Sequence, residues 1–218
     1  GSMIDLGTLG GSFSLGNDIN AMGHVVGEAA LDSTSASSVH AFLYSNGTMI
    51  DLGTLDDPSV SRSFSTATAV NNEDQVVGGS YITSTTSNMA FLWSDGAMTN
   101  LGTIAGSLGS YAYGINNLGD VVGQTQGNAS GTNHALLWQD GFAFDLNSLL
   151  DETGLGWTLE AAYDINDAGQ IVGYGTDPSG NSRAFILSMV PEPGSFLLAV
   201  AALLALGVVR TVPTLNKL

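Results

Sequence analysis

The chain has 218 residues, enough for one large domain or two small ones, with 29 glycines, no cysteine and charged residues at only 11%. Twenty acidic residues against four basic ones give a net charge of −16, which argues against nucleic acid and against an anionic membrane surface as partners, since almost no Lys or Arg is present to meet phosphate. Without cysteine there is no disulfide framework or thiolate metal site, and sparse charge with abundant Gly, Ser, Thr and Asn suits an all-β chain full of tight turns.

In chain order, Gly1-Ser2-Met3 reads as an expression scar, and no native signal peptide is present in this chain. Ile4-Asp5-Leu6-Gly7-Thr8-Leu9 has the character of a β-strand and its exit. One pattern then recurs four times: Ile19-Asn20 with Val25-Val26-Gly27, Val70-Asn71 with Val76-Val77-Gly78, Ile115-Asn116 with Val121-Val122-Gly123, and Ile165-Asn166 with Ile171-Val172-Gly173. The asparagines are 51, 45 and 50 residues apart. A period in this range marks supersecondary units that cannot bury their faces alone.

Each unit reads as four strands. In the third, Ser110–Ile115 is followed by turn chemistry at Asn116-Asn117-Leu118-Gly119 and a return strand, Asp120–Gln124. A variable polar loop over 126–133 leads to His134–Trp138. A D-G turn at Asp140-Gly141 then leads to Phe142–Leu146. Corresponding turns stand at Ser45-Asn46-Gly47 and Ser94-Asp95-Gly96. The third strands (Ala41-Phe42-Leu43-Tyr44, Ala90-Phe91-Leu92-Trp93, Ala184-Phe185-Ile186-Leu187) are apolar without interruption, so both of their faces must be covered. Four strands in roughly 48 residues, covered on both faces, describe a propeller blade. The phase of the repeat adds to this: the chain opens on a fourth strand without its first three and ends the repeats on a third strand without its fourth. The expectation is an all-β, four-bladed β-propeller over residues 4–188, closed by the N-terminal strand so that no sheet edge is left open. An elongated stack of the same units is the rival.

Residues 189–218 differ in kind. Val190-Pro191-Glu192-Pro193 precedes an apolar Leu/Ala-rich run, Phe196 to Val209, predicted to be a short hydrophobic helix. It is shorter than the roughly 20 residues that span a bilayer, and a helix packed against the domain is the alternative.

Two resemblances follow from these motifs. His40-Ala41-Phe42 with Asp51-Leu52-Gly53-Thr54-Leu55, varied as Met89-Ala90-Phe91 and His134-Ala135-Leu136, resembles the HAF repeat family of bacterial extracellular proteins over about residues 3–188. Pro191, Glu192 and Pro193, with the apolar run and Arg210, resemble a PEP-CTERM sorting signal, although the basic cluster is thin. The resemblance implies export, exosortase-type sorting machinery as a partner, and membrane contact only through the C-terminal helix. It carries over no catalytic residues.

The candidate chemistry is modest. Asp18 with Asn20, and Asp164 with Asn166, are the candidate metal ligands because they look like fragments of oxygen-rich calcium loops, although calcium takes six to eight oxygens and neither segment supplies them. The plainer reading is that each repeated asparagine holds its own turn. Tyr44, Trp93 and Trp138 share one repeat position, where they would stack on a sugar or pack between blades. Glu160 aligns with Ser14, Ser65 and Ser110 of the other units, and a break in a repeat is where a ligand contact or catalytic acid can stand. Glu28 and Glu73 are less distinctive. His40 and His134 hold one repeat position, where Met89 and Arg183 stand in the other units, which points to strand-edge packing and not to ligation. No Ser-His-Asp pattern, phosphate loop or dinucleotide fingerprint is present. The expected function is a non-enzymatic, exported surface or matrix scaffold with no cofactor, binding a glycan or surface protein. Its specificity would lie in the variable loops 31–39, 81–88, 125–133 and 175–182. A carbohydrate-binding module and a polysaccharide-active enzyme are the alternatives.

Overall fold

A computed structural model describes residues 1–32, 38–56, 63–128 and 131–188. The predicted C-terminal helix and the Pro191, Glu192, Pro193 motif lie outside these residues. Among the described residues, no helix is long and apolar enough to cross a membrane.

The four repeats form four antiparallel sheets. The first is β1 (Ser14–Ile19), β2 (Val25–Ala30), β3 (Val39–Ser45) and β4 (Thr48–Asp51). The second is β5 (Ser65–Val70), β6 (Val76–Ile82), β7 (Ser87–Ser94) and β8 (Ala97–Asn100). The third is β9 (Ser107–Ile115), β10 (Val121–Asn128), β11 (Ala135–Gln139) and β12 (Phe142–Asp145). The last has three strands, β13 (Thr158–Ile165), β14 (Gln170–Thr176) and β15 (Ser182–Ser188). Each sheet keeps its strands in chain order. The predicted third-to-fourth hairpins form through Asn46-Gly47, Asp95-Gly96 and Asp140-Gly141. Both residues of each pair have positive φ, the backbone of a type I′ turn that matches strand twist.

The sheets pack face to face in series: β5 lies against β1, β2 and β3, β9 against β5, β6 and β7, and β13 against β9, β10 and β11. Three apolar cores fill the three interfaces. Val26, Ala41, Leu43, Ala67, Val76 and Phe91 belong to the first. Val77, Ala90, Ala112, Val121, Leu136 and Trp138 make the second, and Val122, Ala135, Leu137, Ala162 and Ile171 the third. Adjacent residues therefore serve opposite faces, Val76 looking back and Val77 forward. That explains the uninterrupted apolar runs, because every middle sheet is buried on both sides. Each fully buried Val, Leu or Phe side chain contributes roughly 1.5–3 kcal/mol.

The expected ring closure is corrected. Residues 4–9 form no strand, and β15 is left as an edge of its sheet. Among the described residues, no core joins the fourth sheet to the first. Ile4, Ile19, Val172 and Ile186 stay exposed, at 72%, 62%, 43% and 65%. The physical reason lies in the local bonds of the opening segment. The Gly7 amide donates to Asp5 Oδ1, the Ser14 hydroxyl to the Gly7 carbonyl, and the Gly11 amide to Ala30 O of β2. These bonds tie the segment to the first sheet.

Candidate functional site

Every seam between sheets is built by the same device. The first strand of each unit carries a bulge at Asn17, Thr68, Tyr113 or Tyr163. Opposite it stands the repeated glycine, Gly27, Gly78, Gly123 or Gly173, where any Cβ would run into the bulged strand's carbonyl oxygen. The crowding expected at these glycines is therefore real, and it has a purpose: a bulge re-aims its side chain. Asn17 Nδ2 donates to Ala67 O at 2.8 Å and Thr68 Oγ1 to Ala112 O at 2.9 Å, each reaching the next unit. Tyr113 reaches Tyr163 of the next unit, ring centroids 5.4 Å apart.

At the turn end, the asparagines do more than hold their own loops. Each Oδ1 accepts two amides of its own turn, such as Glu73 N and Gln75 N on Asn71. The Nδ2 of the first three also reaches forward: Asn20 donates to Asn71 O at 3.0 Å, Asn71 to Asn116 O at 3.0 Å and Asn116 to Asn166 O at 3.2 Å. Beside this row the amides of Ala21, Asn72 and Asn117 donate to Asn72, Asn117 and Asp167 Oδ1. His24 Nδ1 adds a contact to Asp74 of the next unit at 2.7 Å. Three of the candidate metal ligands, Asp18, Asn20 and Asn166, line one cavity at this end, and all four are engaged in hydrogen bonds. Asp18 accepts the amides of Ile19 and Val70, Asp164 accepts that of Ile165, and Asn20 and Asn166 are committed to their turns. Among the described residues, no group of three or more His, Asp or Glu side chains is placed to hold a metal ion.

The opposite, variable-loop end opens into two grooves. Between the second and third sheets, Phe64, Thr66, Tyr81, Thr83, Asn88 and Tyr111 line a cavity of about 630 Å³. Three aromatic rings and three hydroxyl or amide side chains share it. Thr66 is held by its hydroxyl donating to Glu28 Oε2. Tyr111 begins a row of four tyrosines running through Tyr113 and Tyr163 to Tyr174, with successive centroids 5.3, 5.4 and 5.8 Å apart. Burial raises the Tyr111 phenol above its usual pKa, and the Glu28 charge adds to this, against the bond from Thr66. Tyr113 is pushed up to about 12 by burial and by its tyrosine neighbours. Both remain neutral hydrogen-bonding phenols at physiological pH.

Between the third and fourth sheets, Gly131, Thr132, Asn133, His134, Thr158, Glu160 and Thr176 line a polar groove of about 540 Å³. Glu160 is not the simple serine replacement that its spacing suggests. It is a second bulge residue, and Leu159 takes the serine's place opposite β14. Asn147 ties the preceding segment to this strand in another way, accepting from Leu159 N and donating to Leu159 O. Glu160 itself accepts the Thr176 hydroxyl. Among the described residues it is the single carboxylate lining this groove.

Of the other candidate residues, Trp138 is 3% exposed in the second core, with its indole N–H donating to Gly102 O. Trp93 packs on the first core. Trp93, like Tyr44 at the end of β3, is partly exposed, so the shared position packs fully only at Trp138. The tyrosine row and the groove aromatics were missed. Their signal lay in Tyr111 and Tyr113, two apart on one strand, and in Tyr163, which holds Tyr113's repeat position.

The histidines at the strand edge do pack there, and each also meets an aspartate of the next strand: His40 Nδ1 to Asp51 Oδ1 at 2.8 Å and His134 Nδ1 to Asp145 Oδ2 at 2.7 Å. Burial raises the Asp51 carboxyl, but bonds from His40 and the Gly53 amide and the His40 charge outweigh this and hold it below the ordinary value. A depressed pKa stabilises the fold above the unfolded aspartate's value, and that contribution is lost as pH falls through the folded one. Asp51→Asn should therefore lose less stability than the wild type as pH falls below the ordinary aspartate value of about 4, as read by urea denaturation at each pH.

No protein-family model matches this chain, and no curated protein does either.

Proposed function

We propose that this chain is a non-enzymatic, exported surface or extracellular-matrix protein that works as a binding scaffold, with a glycan as its ligand. The observation that carries this reading is the groove between the second and third sheets. Its volume of about 630 Å³ falls in the range of small-ligand sites. It pairs aromatic faces with hydroxyl and amide groups, the combination that takes up the apolar faces and hydroxyl rims of sugar rings. It also sits at the loop end, where side chains can vary without disturbing the cores. The resemblance to HAF repeats supports an extracellular setting. The Pro191-Glu192-Pro193 tail supports sorting by exosortase-type machinery, with the membrane touched only by that tail.

A polysaccharide-active enzyme is the rival reading, centred on Glu160. It is weaker because glycoside hydrolysis takes two carboxylates flanking one bond, and the Glu160 groove is lined by one. A glycan array followed by calorimetry on the best binder tests the proposal. Tyr111→Ala and Tyr81→Ala should each weaken binding about tenfold or more, with Tyr44→Ala as an unaffected control. Wild-type affinity in both groove variants would sink the reading, and so would turnover of the glycan that Glu160→Gln abolishes.

A further inference from the structure

The two ends of the series are the two halves of the interface that the chain has already built three times. Met3-Ile4-Asp5-Leu6-Gly7-Thr8-Leu9 is identical, residue for residue, to Met49-Ile50-Asp51-Leu52-Gly53-Thr54-Leu55, which forms β4 and the passage into the second unit. Part of the local structure is already in place. Gly7 N donates to Asp5 Oδ1 as Gly53 N does to Asp51 Oδ1, and Ser14 donates to Gly7 O as Ser65 does to Gly53 O. What the segment lacks is the strand that β4 pairs with. In the first sheet that strand is β3, with Leu43 opposite Ile50 and Phe42 opposite Asp51. The matching strand in the last sheet is β15, which has no fourth strand among the described residues.

The faces match as well. Val172, Ala184 and Ile186 occupy the repeat positions of Val26, Ala41 and Leu43, which pack forward onto the next unit, and Val172 and Ile186 are exposed. Ile19 occupies the position of Val70, which packs backward, and is exposed too. Ser65 and Ser110 each accept a third-strand amide of the preceding unit, from Ala41 and Ala90. Ser14 holds the same post, and the corresponding amide is that of Ala184.

The charges follow the same logic. The third strand meets the D-L-G block as His40 with Asp51 and His134 with Asp145, while the second unit has the uncharged Met89 and Asn100. At the open ends this position holds Arg183 and Asp5, a cation and an anion. Arg183 is 59% exposed and spends its charge on a loose 3.6 Å contact to Asp177.

We propose that the ends join between copies: residues 3–5 of one chain add to β15 of another as its fourth strand, and the first sheet of the former packs on the last sheet of the latter. Strand addition to an exposed edge is an established mode of recognition, and here it would extend the internal repeat across molecules. The contact is head-to-tail, so it generates an open assembly unless the rotation closes it. It uses the ends of the series and does not depend on what the grooves bind. A second copy is the occupant that the identical heptapeptide and the Arg183–Asp5 pair specify. Within one chain residues 4–9 form no strand and Ile19, Val172 and Ile186 stay exposed, so a single molecule leaves this pairing unmade.

The test uses full-length chains, which have no native cysteine. By repeat register, Ile186 of one copy falls opposite Ile4 of the next, as Leu43 does opposite Ile50. Mixing an Ile4→Cys chain with an Ile186→Cys chain under mild oxidation, near 0.15 M salt where charge is screened beyond about 8 Å, should give the mixed disulfide in excess over both homodimers. Sedimentation velocity should show concentration-dependent association of the wild type. That association should weaken at least tenfold in Asp5→Lys and in Arg183→Glu, and return when these two variants are mixed. Absence of the mixed disulfide would overturn the proposal, whether because residues 189–218 or another partner covers β15. So would an internal disulfide in a monomeric Ile4→Cys/Ile186→Cys chain, the mark of closure within one molecule.

Discussion

Asn71→Ala should destabilise the protein by about 3 kcal/mol, whereas Asn166→Ala, the same change in the last unit, should cost about 1 kcal/mol. Asn71 is 4% exposed and its amide makes four bonds. It accepts from Glu73 N and Gln75 N, and donates to Asn116 O at 3.0 Å and to Gln75 Oε1 at 2.7 Å. Alanine leaves two backbone amides without partners at a site largely closed to water, and strips the Asn116 carbonyl of its inter-unit bond, leaving it only the Gly119 amide; unmet buried groups carry the full desolvation cost. Asn166 accepts from Ala168 N and Gln170 N in the same way, but its Nδ2 stays within its own turn, on Gln170 Oε1, and the residue is exposed. Water can replace what alanine removes there. Urea denaturation of the two variants separates the turn bonds common to both from the inter-unit bond that only Asn71 makes. Equal losses would mean that the row of asparagines contributes nothing between units.

The division of labour along the chain was legible in part. The Ile-Asn and Val-Val-Gly blocks marked four units, the continuous apolar third strands required cover on both faces, and Asn46-Gly47, Asp95-Gly96 and Asp140-Gly141 gave the hairpins. These features are local or follow from the pleat, so sequence spacing carries them. The end-to-end pairing went astray because the opening block has two ways to be satisfied. Its strand character asks for a partner such as β15, but Asp5, Gly7 and Ser14 already make the bonds of a unit's exit among themselves. A pattern of residues does not say in which molecule the missing partner lies. The site was less legible still. Trp93 and Trp138 drew attention as repeated aromatics, yet repetition at a core position is what packing demands. Tyr111 and Tyr113 gain their setting from a bulge that turns one of them toward the next unit, and a bulge shifts every alternation count made across it. Glu160 was misaligned for the same reason: the extra residue in β13 moves Leu159 into the place where spacing alone puts the glutamate.

Gly78→Ala should cost about 3 kcal/mol, and Gly79→Ala, one residue further along β6, clearly less, while removing ligand binding in the groove between the second and third sheets. In an open strand, alanine would gain about 0.5–1 kcal/mol over glycine by restricting the unfolded chain, and neither glycine needs a positive φ that alanine would strain. At Gly78 the new methyl group would meet only backbone: the Thr66 carbonyl oxygen well inside contact distance, its carbon at 2.9 Å and Ala67 Cα at 3.0 Å. No rotamer relieves that clash. Strand β5 must move off β6, which pulls Thr68 from Ala112 O and opens the seam to the third sheet. At Gly79 the methyl group would meet the Tyr111 ring instead, a side chain that can swing aside. The strand stays in place, but the ring leaves the position from which it lines the groove. Thermal or urea denaturation of both variants, set beside calorimetry with the glycan that the wild type binds, resolves the pair. Stability loss should follow Gly78, binding loss without comparable stability loss should follow Gly79, and equal stability losses at the two positions would show that the close approach of β5 to β6 is not what requires the repeated glycine.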